Sequence, residues 1–135
     1  MIKIPETLVE QMIRQANEEL PNECCGILAG KAAEGIIEIV DIYPMTNIDH
    51  SPEHFSLDPK EQLEVYKSVR ERGLKVLGNY HSHPATPSRP SREDIRLAFD
   101  PAAVYMILSL MTNPPVLKAF HIENGDYREI PMQVI

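Results

Sequence analysis

The sequence predicts a mixed α/β (α+β) fold, with one sheet of about six strands and about three flanking helices. Three observations lead there. Short apolar or β-branched runs bounded by turn residues alternate with segments whose apolar residues recur at helical spacing. The C-terminal third carries successive strand patterns without an intervening helix, while helices fall between earlier strands, and the sum is a mixed sheet. Asn124-Gly125 joins two alternating runs, a strong hairpin signal.

Residues 5–20 read as an amphipathic helix. Pro5 suits an early helical position, Leu8, Met12, Ala16 and Leu20 recur at steps of four, and Pro21-Asn22 ends it. "CCGILAG" (24–30) is a short apolar run closed by glycine, a buried strand. "GIIEIVDIYPM" (35–45) is a second strand. Residues 46–53 read as loop, and "HFSLD" as a short strand or extended piece. "DPKEQLEVYKSVRERG" (58–73) is a helix with Pro59 in its first turn and Gly73 just past its end. "LKVLGNYHSH" (74–83) is a strand. Ser91 opens a helix to about Phe99. "VYMILSL" (104–110) is a buried strand, and 115–124 and 126–135 form the hairpin. No internal repeat or linker interrupts 1–135, so one domain is expected.

Composition excludes several function classes. The 43% hydrophobic content is that of a globular chain with a sizeable core, and the net charge is −7 with no basic block. This argues against sequence-independent binding of nucleic acid. No apolar run approaches the roughly 20 residues of a membrane span. The N-terminus lacks a secretory apolar region. Adjacent Cys24 and Cys25 are badly placed to bridge each other, so a cytoplasmic, reducing setting is expected.

The chemistry-bearing stretch is "NYHSHPATPSRPSREDI" (79–95). On a strand, His81 and His83 project from one face, with Ser82 turned away. Pro84 helps end the strand, and a Pro-rich turn leads to Asp94 in the first turn of the next helix. Two imidazoles and a carboxylate are three protein ligands, leaving one position open for water. That is the pattern of a catalytic zinc site. Two neutral histidines and one aspartate leave a bound Zn²⁺ site near +1, which still acidifies water. Ser91 and Asp94 are also spaced almost as a capping box, and the two readings coexist on one helix start. Hydrolysis further needs a carboxylate to carry the water's proton. Several acids are available, and Glu23, just before the buried strand in "PNECCGILAG", is the best placed of them locally.

His81-Ser82-His83-Pro84, a spacer of six residues and Ser91-x-x-Asp94 resemble the signature of the JAMM (MPN+) metalloproteases. "PNECCGILAG" resembles the segment carrying that family's upstream glutamate. "HFSLDPKEQLEVYKSVRERGLKVLGNYHSHP" is similar to small bacterial members that process sulfur-carrier proteins. The resemblance covers most of residues 5–110 and fills all five signature positions. It implies the MPN/JAB fold, a cytidine-deaminase-like mixed sheet flanked by helices. It implies one zinc per chain on His81, His83 and Asp94, with Glu23 as general base and then acid. Ser91 is implied to stabilise the tetrahedral oxyanion. The implied substrate is a peptide or isopeptide bond after the C-terminal Gly-Gly of a ubiquitin-like or sulfur-carrier protein. "FDPAAVYMILSL" leaves no room for the insertion with which ubiquitin-chain cutters grip their substrate, so the chain resembles a bare catalytic core. Segment 46–57 is the candidate edge for pairing with an extended tail.

The remaining candidates read more simply. His50, His54 and His121 are surface or packing residues, and Cys24 and Cys25 are small buried hydrophobes. A zinc nucleoside deaminase would need HxE and PCxxC, and neither is present. Asn79 and Tyr80 are strand residues, while Ser88, Arg89 and Arg92 border the site as solvated loop. Two rivals stay open: a zinc-containing, non-catalytic binding module, and a peptidase for short peptides of sulfur metabolism. The leaving group and oligomeric state, monomer or homodimer, are not encoded in any motif.

Overall fold

Pro131 divides the C-terminal alternating run, because proline fixes φ and offers no N–H to a ladder. The computed structural model describes residues 1–135 and shows the consequence. β7 (Asp126–Ile130) and β8 (Met132–Val134) flank this one residue and pair with different neighbours. The sheet has eight strands rather than the six expected. The second addition is β1 (Ile2–Ile4), three residues too short to carry a readable alternation.

The other strands fall where the patterns put them: β2 (Cys25–Ala33), β3 (Ile36–Met45), β4 (Lys75–His83), β5 (Val104–Ser109) and β6 (Val116–Glu123). The order is β7-β6-β5-β4-β2-β3-β1-β8, with β4–β5, β1–β3 and β1–β8 parallel and the rest antiparallel. β7 and β8 close the two ends of that order while only one residue apart in the chain. The sheet therefore curls back on itself. Asn124 and Gly125 both take positive φ, as a two-residue type I′ hairpin demands. The β2–β3 connection uses Glu34 and Gly35 in the same way.

Helix α1 (Glu6–Glu18) fills the inside of the curl. Leu8, Met12 and Ala16 are buried against Ile2, Ile4, Ile39, Ile42, Tyr80, Val104, Met106 and Leu108. Helix α2 (Pro59–Glu71) packs on the other face, capped by the Asp58 side chain on the Lys60 N–H, with Gly73 in positive φ beyond its end. Its apolar contact with the sheet is thin: Val69 is its only buried residue. Helix α3 (Arg92–Leu97) is shorter than expected. Pro101 disfavours helical backbone at Asp100, whose carboxylate accepts the Ala102 N–H and starts a turn instead. "HFSLD" is no strand, contributing only an isolated bridge between Leu57 and Asn47. No helix is long and apolar enough to cross a membrane.

β4 runs through the middle of the sheet between β2 and β5, and its close contact with β5 depends on Gly78. A β-carbon there would lie 1.8 Å from the Val104 carbonyl oxygen. This places the C-terminal end of β4 deep in the fold: Tyr80 to His83 are all buried.

Candidate metal centre and catalytic site

His81 and His83 end β4 on one face, and the start of α3 carries Asp94 to them. The two Nε2 atoms are 3.1 Å apart, and each lies 3.2 Å from Asp94 Oδ2. Three ligands on a tetrahedral ion with bonds of about 2.0–2.1 Å stand about 3.3–3.4 Å from one another, so the triangle has the right size.

The hydrogen-bond chemistry points the same way. His83 Nδ1 lies 2.8 Å from the Pro87 carbonyl oxygen, which can only accept. Nδ1 therefore carries the proton, and Nε2 of the neutral ring offers a lone pair. That lone pair faces a carboxylate oxygen, acceptor against acceptor, an arrangement that calls for a cation. The residues fit a zinc-type metal. His81 is held differently. Its ring stacks on Phe55 with centroids 4.6 Å apart, and its buried Nδ1 has no acceptor.

Asp94 is fixed by its helix. Ser91 Oγ accepts the Asp94 N–H at 3.0 Å, and Asp94 Oδ2 accepts the Ser91 N–H at 2.9 Å, a reciprocal box built with aspartate. Desolvation pushes the Asp94 carboxyl upward, but the adjoining His81 and His83 imidazoles and the Ser91 N–H outweigh it. The carboxyl stays well below the usual range and ionised. The loop between ligands is tied down by Ser109 Oγ donating to the Thr86 carbonyl and Ser88 Oγ donating to the Val116 carbonyl. Ser88 is thus buried rather than solvated, while Arg89 and Arg92 are exposed as expected.

Glu23 enters from the segment just before β2. Its neighbours Cys24 and Cys25 are locked to β4, since Cys25 pairs with His81 and Ser82 clamps Cys24 through both its Oγ and its N–H. Glu23 is 3% exposed, and its Oε1 has no partner. Burial, with smaller contributions from Asp94 and Glu53, raises its pKa to about 9. A carboxyl held so high near the Asp94 carboxylate is the group that a cation there would drive toward ionisation.

Segment 46–57 is not an open strand edge. It folds on itself, with the Ile48 N–H on the Ser56 carbonyl, and grips Glu23. The Glu23 N–H donates to the Ser51 carbonyl, and Asn47 Nδ2 donates to the Glu23 carbonyl at 3.0 Å and to the His54 carbonyl at 3.1 Å. Asn47 Oδ1 accepts from the Asp49 and Ser56 N–H groups. Ser82 and Asn47 are the residues the motif reading missed. The one signal was a hydroxyl between two histidines, facing the next strand.

A cleft of about 390 Å³ opens from His81 and Asp94 between α2 and α3 over the sheet. Tyr66, Leu97 and Phe99 line it, and Phe99 is 93% exposed. The remaining histidines stay outside the ligand cluster. His54 pairs with Asp49, and His121 Nδ1 meets the Ala103 carbonyl. Burial pushes the Cys24 thiol up to about 11, which makes it a poor nucleophile.

Comparison with known proteins agrees with this architecture. A solution structure from Desulfitobacterium hafniense superposes with a TM-score of 0.92 at 46% identity, covering all of this chain and 93% of that one. The CysO-cysteine peptidase of Mycobacterium tuberculosis is 36% identical over the whole chain and 92% of its own length. A desampylase of Haloferax volcanii is 32% identical over 84% of this chain and 79% of its own. Residues 5–123 match the family of prokaryotic homologues of the JAB domain. With that match over most of its length and a candidate ligand triangle on its JAB/MPN sheet, the chain belongs to that family.

Proposed function

We propose that this protein is a zinc-dependent metallopeptidase acting after the C-terminal Gly-Gly of a ubiquitin-like or sulfur-carrier protein. The leaving group would be cysteine, a short tail or a lysine-linked protein. One observation carries the reading: three ligating atoms within 3.1–3.2 Å of one another beside a buried, unpartnered carboxyl. His81, His83 and Asp94 hold one zinc per chain. When bound, zinc supplies Lewis acidity, acidifying water and polarising the scissile carbonyl.

Glu23 takes the proton of the attacking water as its oxygen bonds to the carbonyl carbon, then gives that proton to the nitrogen as the C–N bond breaks. Ser91 Oγ accepts in the helix cap, and its own hydrogen stays free to donate to the oxyanion. The exposed apolar rim, Tyr66, Leu97 and Phe99, favours a folded carrier over a short peptide. The names of the relatives, a CysO-cysteine peptidase and a desampylase, support the same substrate class. The reading treats residues 1–135 as one catalytic domain in a reducing cytoplasm, supported by the two free thiols.

The test is mass spectrometry of a carrier–cysteine adduct of the CysO type incubated with the protein, with and without chelator. Wild type should release cysteine and lose this with the metal. Glu23→Gln should keep zinc and lose turnover. Full activity in Glu23→Gln would sink the assigned mechanism, and binding without turnover by wild type would favour a non-catalytic module.

A further inference from the structure

Asn79 lies two residues before His81 on β4, on the same face, and lines the same cleft. Its Oδ1 is fully buried and has no hydrogen-bond partner. The flanking register partners are Ile27 on β2 and Tyr105 on β5. Ile27 has no polar side chain, and the Tyr105 hydroxyl is directed to the Asp100 carbonyl at 3.4 Å. The fold thus leaves a polar group desolvated and unpaired just beneath the floor of the cleft, where leucine or valine would serve packing better. Such groups in native proteins are rare and call for an explanation.

We infer that the Asn79 carboxamide is a specificity determinant that reads the peptide backbone of the substrate's C-terminal tail in this cleft. The inference rests on the carrier-peptidase reading above. A Gly-Gly tail has no side chains, so only its N–H and C=O groups can be recognised. A carboxamide offers the complementary acceptor and donor. Residues two apart on a strand are about 6.5–7 Å apart, which equals two residues of an extended tail. The backbone group that Asn79 meets therefore lies within two or three residues of the scissile bond. A tail bearing bulky side chains would contend with the walls of α2 and α3. A side-chain-free tail lies on the floor, and rotation of the Asn79 carboxamide about χ2 turns the buried Oδ1 to a tail N–H.

The experiment uses the zinc-loaded protein and carrier–cysteine adducts in which successive tail amides are replaced by esters, each removing one N–H. Wild type is expected to lose about tenfold in kcat/KM at one tail position, a penalty typical of a single lost buried hydrogen bond. Asn79→Ala should lose about tenfold on the all-amide adduct and nothing further on that ester, with zinc content unchanged. Asn79→Thr, better suited to a strand, gives the same comparison if the alanine variant folds poorly. If wild type releases no cysteine from any adduct, the peptidase reading falls and this inference with it. If wild type turns over but shows no ester-sensitive position, or the ester penalty persists undiminished in the variants, the role of Asn79 is overturned and the peptidase reading stands.

Discussion

Ser82 Oγ accepts the Cys24 N–H at 2.8 Å, and the Ser82 N–H donates to the Cys24 carbonyl at 3.0 Å. The serine between His81 and His83 thus fixes the segment that carries Glu23. Ser82→Ala leaves a buried N–H unpaired, at a cost of about 1–3 kcal/mol. Denaturant melts should show that loss. Hydrolysis should fall further than stability explains, zinc content should stay at wild-type level, and Ser82→Thr should recover both. A Ser82→Ala protein with full turnover would disconnect the clamp from the chemistry.

Asn47 is 4% exposed and uses its whole carboxamide on four backbone groups, one of them the Glu23 carbonyl. Asn47→Ala removes two buried donors and two acceptors together and should cost about 2–4 kcal/mol. Asn47→Asp keeps the acceptors but not the donors and should be only partly better. Urea unfolding midpoints at neutral pH rank the three proteins.

Glu23 gives a pH signature in the metal-free protein. Its carboxyl titrates near 4.5 when unfolded and is raised to about 9 when folded. Between those values the folded state binds more protons than the unfolded one, so this group makes stability fall as pH rises through the window. At pH 7 the penalty is on the order of 3 kcal/mol. Glu23→Gln should therefore melt higher than wild type at pH 7–8 without metal, with the gap closing toward pH 4.5. Equal melting temperatures across that range would show that the carboxyl is not buried as described.

Ser91 caps α3, and one substitution can separate that role from the oxyanion role proposed above. Glycine is a tolerable N-cap, within a few tenths of a kcal/mol of serine, but it has no hydroxyl. Ser91→Gly should keep zinc and nearly wild-type stability while losing about 10²–10³-fold in kcat. Unchanged kcat would leave Ser91 as a helix cap alone.

Chelation tests the ligand triangle directly. Dialysis against zinc should restore one equivalent per chain to wild type and none to His81→Ala, His83→Ala or Asp94→Ala, measured by atomic emission. Retention of a full equivalent by any of the three would displace that residue from the site.

Much of this was readable in the chain because it rests on local rules. The alternation that aims His81 and His83 together is a property of any strand. The offset from Ser91 to Asp94 is a property of any helix start, and both survive in the structure unchanged. β1 and β8, three residues each, are too short to alternate legibly and are set by their neighbours, β1 between β3 and β8 and β8 against β1. The α3 boundary likewise turned on the Asp100 turn, which competes with helix.

Residue types and spacings alone therefore determined the three candidate ligands, the capped helix that presents one of them, and the family signature. Tertiary structure decided the rest. It determined that Glu23, far upstream, is buried and raised in pKa, that Ser82 and Asn47 hold it there, and that Asn79 is left unpaired in the cleft. Burial and desolvation depend on what other strands bring alongside, and no local pattern records them.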